Sequence, residues 1–186
     1  MLVAPFTSEF YTIFPAPNAD EFIDLIDQAC KNKDIDNDHF DWGNKCVIDR
    51  IPLSWKDTID LYKPSIELLY KELNKSFSYT LFDPWINLYK KGYYQEIHAH
   101  KGNDISSVFF ANDGKNFSKL FFSDRNSCNF SCKYEELISY INTHDLNYKK
   151  GDIIFFPSHL LHGVTSHKSD VIRKTMSANL NIKEIF

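Results

Sequence analysis

Three groups of residues in this sequence are of types that bind a metal ion or a small anion, and their spacing gives them geometry. His98 and His100 stand two apart in the run Tyr94 to His100, which reads as a β-strand. Both imidazoles therefore leave the same face and can approach a divalent cation from adjacent directions. Taken alone such a pair is weak, because seven histidines in 186 residues produce one readily by chance. The segment Gly151 to His162 runs from a turn glycine through the apolar strand Ile153 to Phe156 and a Pro157-Ser158 corner. A second strand then begins near His162. A lone histidine there would ordinarily be satisfied by a backbone carbonyl. Beside the first pair it becomes the third corner of a metal site. In the last strand Arg173, Thr175, Ser177 and Asn179 alternate with Lys174, Met176, Ala178 and Leu180. Period two puts the first four on one face. A polar face alone would point to solvent. The Met, Ala and Leu on the other side are suited to packing, which leaves the polar stripe inside a barrel mouth, where an arginine flanked by hydroxyls can grip a carboxylate.

The elements that must carry these residues follow from hydrophobic period and turn signals. Phe10 to Phe14 reads as a short strand stopped by Pro15 and Pro17. Asn18 can cap a helix whose apolar positions are Phe22, Ile23, Leu25, Ile26, Ala29 and Cys30. Residues 32–44, rich in Asp, Asn and Lys, read as a loop. Ser54 can cap a second helix running to about Ser76, with Pro64 either kinking it or splitting it in two. Seven β-rich runs follow: 80–89, 94–100, 105–111, 119–122, 153–156, 161–166 and 171–182, with Gly and Asn/Asp turns between them. Seven or eight short strands separated by turns, after two helices, predict an antiparallel sandwich or jelly-roll barrel with the helices packed outside one sheet.

Composition narrows the function classes. At 43% hydrophobic and 16% aromatic, the chain has the content of a folded domain. A length of 186 residues suits one domain, 1–186, able to bury a core without staples. A net charge of −4, with 18 Lys but only 3 Arg, argues against a nucleic-acid partner. No apolar run nears the roughly 18 to 20 residues of a membrane span, and Met1 to Pro5 lacks a basic, apolar leader pattern. A cytoplasmic location is the expectation. Cys30, Cys46, Cys128 and Cys132 lack the paired spacing of a zinc site and read as free thiols.

These residues also carry a resemblance. Trp85-Ile86-Asn87-Leu88-Tyr89, then Gly92, His98-Ala99-His100 and Ile105-Ser106-Ser107, resembles the front half of an iron(II)/2-oxoglutarate oxygenase core. Gly151 to His162, followed by Arg173, resembles the back half. The chain resembles small 2-oxoglutarate/iron oxygenases of bacteria and phages, whose patterns look like H-x-H-P…SG and FPS-x-L-x-H…R-x-S-x-S-x-N. Here Lys101 replaces the usual Pro and Ser107 the usual Gly. The likeness covers about residues 85 to 182.

The resemblance implies a mainly β fold: a double-stranded β-helix, cupin-like jelly roll over 79–186, with a helical layer over 1–78. It implies iron(II), 2-oxoglutarate as co-substrate and O2, with release of succinate and CO2 and hydroxylation of a substrate. His98 and His162 would be metal ligands. His100 stands where better-known members carry Asp or Glu, giving a three-histidine site that leaves one less negative charge on the metal. Asp104 and Asp152 are reserve ligands, and His159 is an alternative to His162. Arg173 would hold the far carboxylate of 2-oxoglutarate with Thr175 or Ser177, and Asn87 and Tyr89 would line the same pocket. His39, His144 and His167 read as surface residues.

Two other readings compete. A cupin-like three-histidine metalloprotein fits nickel, zinc or manganese equally well, but gives Arg173 no task. A metal-free structural jelly roll leaves the ordered polar groups to coincidence. The substrate, a small molecule or a peptide, has no recognisable code in the loops around Asn103 and from Ser123 to Tyr148.

Overall fold

The structure is a computed structural model that describes residues 9–32, 39–41, 46–125, 133, 136–137 and 143–186. Cys128, Cys132 and the side chains of His39 and Cys46 lie outside what is described. The first strand, β1 (Thr12–Pro15), is followed by α1 (Ala19–Asn32), β2 (His39–Asp41), β3 (Cys46–Pro52) and α2 (Trp55–Leu73). Eight more described strands complete the order: β4 (Phe77–Tyr89), β5 (Tyr94–His98), β6 (Ile105–Phe110), β7 (Leu120–Ser123), β8 (Thr143–Asp145), β9 (Asp152–Pro157), β10 (His162–Val164) and β11 (Arg173–Ile185).

Asn18 stands at the start of α1, and its carbonyl accepts from Glu21 and Phe22. Its side-chain amide does not cap the helix; it donates to Leu61 O at 3.0 Å and so ties α1 to α2. Ser54 does cap α2, its hydroxyl accepting from Lys56 N at 3.2 Å. The helix continues through Pro64, and the carbonyl this proline cannot serve belongs to exposed Asp60, where water can replace the missing donor. It ends at Asn74, which adopts a left-handed conformation (φ 52°) that Asn tolerates better than most residues.

All pairs among the described strands are antiparallel. One layer runs β9-β6-β11-β4, extended by β1 beyond β9, and the other runs β5-β10-β7-β8. β3 joins them. Its Asp49–Pro52 half pairs with Leu88–Trp85 of β4, while Cys46 and Val47 pair with Gln95 and Tyr94 of β5. This is the double-stranded β-helix arrangement. β2, β3 and β8 are additions to the expected elements: β2 falls in the stretch read as a loop, and β3 and β8 carry no clear alternation.

The first layer is buried on both faces: its outer face is apolar, while its inner face joins apolar residues to the polar stripe of β11. Outward, Met176, Ala178 and Leu180 of β11 join Phe109, Ile153 and Phe155 against Phe22 and Ile26 of α1 and Tyr62, Ile66 and Leu69 of α2. Phe22 stacks on Phe109 at 4.4 Å and meets Tyr62 edge-on at 5.2 Å. Each such ring contributes about 2–3 kcal/mol of burial, so the helices anchor the sheet rather than the chemistry. Inward, Phe110, Ile154, Phe156, Leu120 and Phe122 fill one end of the barrel. β4 keeps this division despite Pro84. A register shift opposite Ser177–Asn179 gives β4 one extra residue, as a proline inside a sheet requires. The shift lets Leu81 on one side of it and Ile86 and Leu88 on the other reach the same outer core.

Candidate metal centre

His98 closes β5 and His162 opens β10, and the two are direct cross-strand partners. Their rings lie 4.4 Å apart between centroids. His100 follows two residues on, its ring 5.3 Å from His98 and 5.1 Å from His162. One ring nitrogen of each comes within 4.8 Å of the others. Among the described residues no carboxylate joins the group. The hydrogen bonds show which nitrogen is available. Nδ1 of His98 meets Glu96 O at 2.7 Å, and Nδ1 of His162 meets Leu160 O at 2.8 Å. A carbonyl oxygen can only accept, so the protons sit on Nδ1 and the lone pair of each ring is on Nε2. His100 Nδ1 has a side-chain partner instead, Asn179 Oδ1 at 3.0 Å.

The imidazoles are held neutral, the form that binds metal. Burial lowers the pKa of His98 against its bond to Glu96. His100 is pushed down to about 4 by burial, with the adjacent His98 adding to it. His162 is pushed down to about 3, again mainly by burial and then by His98. In the metal-free protein the unfolded chain, titrating near 6.5, takes up protons that the folded site refuses. Stability is therefore level above about pH 7.5 and falls as pH drops from 6.5 towards 4. His162 alone accounts for about 2 kcal/mol at pH 5, or roughly 4–8 °C in melting temperature. Melts in chelator at pH 7 and 5 should show that this extra loss is missing in His162→Gln; an equal loss in the variant would refute the assignment.

Arg173 begins β11 opposite Tyr89 and is only 2% exposed. Its guanidinium lies 4.7 Å from the Tyr89 ring centroid, with Phe110 and Tyr148 at 5.8 and 6.0 Å. Nη2 donates to Tyr148 OH at 3.4 Å, while Nη1 is buried with no partner. Among the described residues Arg173 has no ion pair. A buried, permanently charged group with open donors is costly unless an anion completes it. Arg173 and the three histidines line one cavity. Between them Asn87 Nδ2 donates to Ser177 Oγ at 3.0 Å and Thr175 Oγ1 at 3.4 Å, and Trp85 Nε1 donates to Asn87 Oδ1 at 2.8 Å. Tyr89 OH donates to Gln95 Oε1.

All eight residues singled out from the sequence thus face this cavity. The reserves do not. Asp104 Oδ2 accepts from Ile182 N at 2.7 Å, Asp152 Oδ2 accepts from Lys149 N at 2.9 Å, and His159 is exposed on the corner. His144 is exposed, as expected, with Tyr11 OH 2.9 Å from its Nε2. His167 corrects its surface reading: it is 1% exposed, its Nδ1 accepting from Ser118 N at 3.1 Å while Nε2 donates to Val171 O at 2.8 Å. Free of any strand signal, it is buried by Phe117, which packs edge-on at 5.0 Å. Cys30 packs against the outer core as a small hydrophobe, its pKa raised by burial. Sequence reasoning missed Gln95, Tyr148 and the Asn179 contact. Gln95 was visible only as a neighbour of the histidine strand, and Tyr148 sits in a segment without periodicity.

The family model described as "Putative 2OG-Fe(II) oxygenase" matches residues 83–179. No curated protein matches the sequence. Among solved structures the fold is similar to the viral collagen prolyl hydroxylase of Paramecium Bursaria Chlorella virus-1 in its 2-oxoglutarate complex: 16% identity, 93% of this chain and 96% of that one, TM-score 0.61. It is also similar to HygX of Streptomyces hygroscopicus with nickel and 2-oxoglutarate bound: 11% identity, 94% and 83% coverage, TM-score 0.65. The α-ketoglutarate-dependent epimerase SnoN of nogalamycin biosynthesis gives 11% identity, 95% and 78% coverage, and TM-score 0.70.

Proposed function

We propose that this chain, which belongs to the 2OG-Fe(II) oxygenase family, is a hydroxylase that binds iron(II) through His98, His100 and His162 and 2-oxoglutarate through Arg173. The cofactors are those of the family: iron(II), 2-oxoglutarate and O2. Together they supply one overall chemistry, in which 2-oxoglutarate and O2 become succinate and CO2 while one oxygen atom enters a substrate C–H bond. The observation that carries the reading is Arg173, buried with Nη1 unpartnered in the cavity lined by three neutral imidazoles.

The protein's own residues divide the work. His98, His100 and His162 would hold the metal through Nε2, one ring nitrogen of each lying within 4.8 Å of the others, and would leave room beside it for the co-substrate. Arg173 offers paired N–H donors to the distal carboxylate, over an aromatic floor that excludes water. Thr175 and Ser177 add hydroxyls beside it, and Asn87 fixes both. Tyr89 supports the guanidinium from below while its hydroxyl is occupied by Gln95. We read the chain as one cytoplasmic domain acting on a small molecule or peptide; among the described residues no helix is long and apolar enough to cross a membrane.

The test is anaerobic visible spectroscopy. Iron(II) alone should give no visible band, and adding 2-oxoglutarate should produce a charge-transfer band that requires both. Metal binding without the band would move the site to the cupin-like class. Known relatives in fold include an epimerase as well as a hydroxylase, so hydroxylation itself is read from products: one oxygen atom in the substrate per succinate formed.

A further inference from the structure

The three histidines are not held alike. His98 and His162 each donate Nδ1–H to the carbonyl two residues earlier in their own segment, so their orientation is local. His100 lies beyond the last residue of β5 and has no such bond. Its ring is fixed from across the barrel by Asn179 Oδ1 at 3.0 Å. That oxygen also accepts from Ser106 Oγ at 2.8 Å, and Ser106 Oγ is 2.8 Å from Ser158 Oγ. The backbone carbonyl of Ser158 accepts the His100 backbone N–H at 2.8 Å. Asn179, Ser106 and Ser158 are 7%, 2% and 0% exposed. The loop closes on itself: one serine holds the main chain of His100, and the amide it supports through Ser106 holds the ring. Trp85 completes the enclosure, stacked on the His100 ring at 5.7 Å.

From this we infer that Asn179 is the positioning residue that makes His100 a metal ligand, by accepting Nδ1–H and so turning the Nε2 lone pair into the site. A carboxylate at position 100 would need no such help, because either oxygen can bind. An imidazole must be in one tautomer and one orientation, and only an external acceptor can select both. Asn179 sits on the face of β11 that also carries Arg173, Thr175 and Ser177. One strand therefore both clamps the co-substrate and sets the third metal ligand.

The inference rests on the three-histidine reading above, and the experiment separates the two. Cobalt(II) is titrated into the full chain, followed by its visible bands, and the His100 tautomer is read by ¹⁵N NMR of the metal-free protein. In wild type the proton should lie on Nδ1. Asn179→Leu, similar in size with no acceptor, should weaken cobalt binding by about 10–100-fold and alter the bands. Asn179→Asp, which can only accept, should bind within a few-fold of wild type. Equal affinity in Asn179→Leu, an Asn179→Asp as weak as Asn179→Leu, or a wild-type proton on Nε2 would each overturn the assignment. If Asn179→Leu does not fold, Ser106→Ala decides: it removes one support of the amide, and unchanged bands and affinity would count against the role. Failure of wild type to bind cobalt at all would instead remove the metal-site reading itself, whatever the tautomer.

Discussion

Arg173→Met is expected to abolish 2-oxoglutarate binding while leaving the metal-free protein at least as stable as wild type. The two halves of this result share one cause. In the wild-type cavity a full charge is buried with Nη1 unpartnered and Nη2 bonded only to Tyr148. Its three aromatic neighbours recover part of the lost hydration through their ring faces, but less than an anion would. Methionine fills much of the same space between Tyr89 and Phe110 without the charge, so the cost of burial disappears. The binding partner disappears with it. Removing one side of a buried, hydrogen-bonded charge pair costs about 2–5 kcal/mol, which is roughly 30-fold to several-thousand-fold in affinity. In thermal terms, 2-oxoglutarate at 100 times its Kd should stabilise wild type by about 2.7 kcal/mol and Arg173→Met by almost nothing. Cobalt or iron affinity should be unchanged. Arg173→Lys should fall between, since an ammonium replaces the fork with a point charge. If Arg173→Met retains the 2-oxoglutarate-induced shift in melting temperature, the carboxylate lies elsewhere and the assignment is wrong.

The path from sequence to this site was uneven, for physical reasons. Period two on β11 separated Arg173, Thr175, Ser177 and Asn179 from Met176, Ala178 and Leu180; both sets are buried, the apolar one in the outer core and the polar one inside the barrel. The alternation was legible because the strand is long and covered on one face by helices whose own stripes were also visible. β3 was not legible. Cys46–Pro52 ends in a proline, mixes Asp49 and Arg50 with apolar residues, and belongs half to one layer and half to the other, so no single face dictates its pattern. β10 is three residues long, half the β-rich run of 161–166 that the sequence offers. The contacts that define the site are of the same kind. His98 meets His162 through strand register, and His100 meets Asn179 across the barrel. Such pairings depend on which strands become neighbours, and spacing within one strand does not encode that. His167 shows the opposite failure: a polar residue in a turn-rich stretch was buried by hydrogen bonds at both ring nitrogens, which no local pattern announces.

The second large effect is expected at His162. Of the three histidines it is the most enclosed, 4% exposed, and it meets Phe156 edge-on at 4.9 Å. It bridges β5 and β7, pairing with His98 on one side and Phe122 on the other. His162→Ala removes one donor and leaves His98 and His100 to hold a cation between a strand end and the turn that follows it. Loss of a residue that only orients a ligand already costs about 10–100-fold in metal affinity. Loss of the ligand itself should exceed 100-fold, and the visible band that needs iron(II) and 2-oxoglutarate should vanish. The fold should survive, because the outer core between α1, α2 and the β9-β6-β11-β4 layer does not touch this side chain. A melt in chelator at pH 7 should show a loss of about 1–3 kcal/mol, the scale of a buried side chain and its single hydrogen bond to Leu160. Isothermal titration with cobalt(II) distinguishes the alternatives. A variant that binds as tightly as wild type would mean that His162 is a core residue satisfied by its own carbonyl. A variant that is folded and metal-free places the catalytic ion where β5 and β10 meet, and makes the short β10 strand the element on which activity depends most.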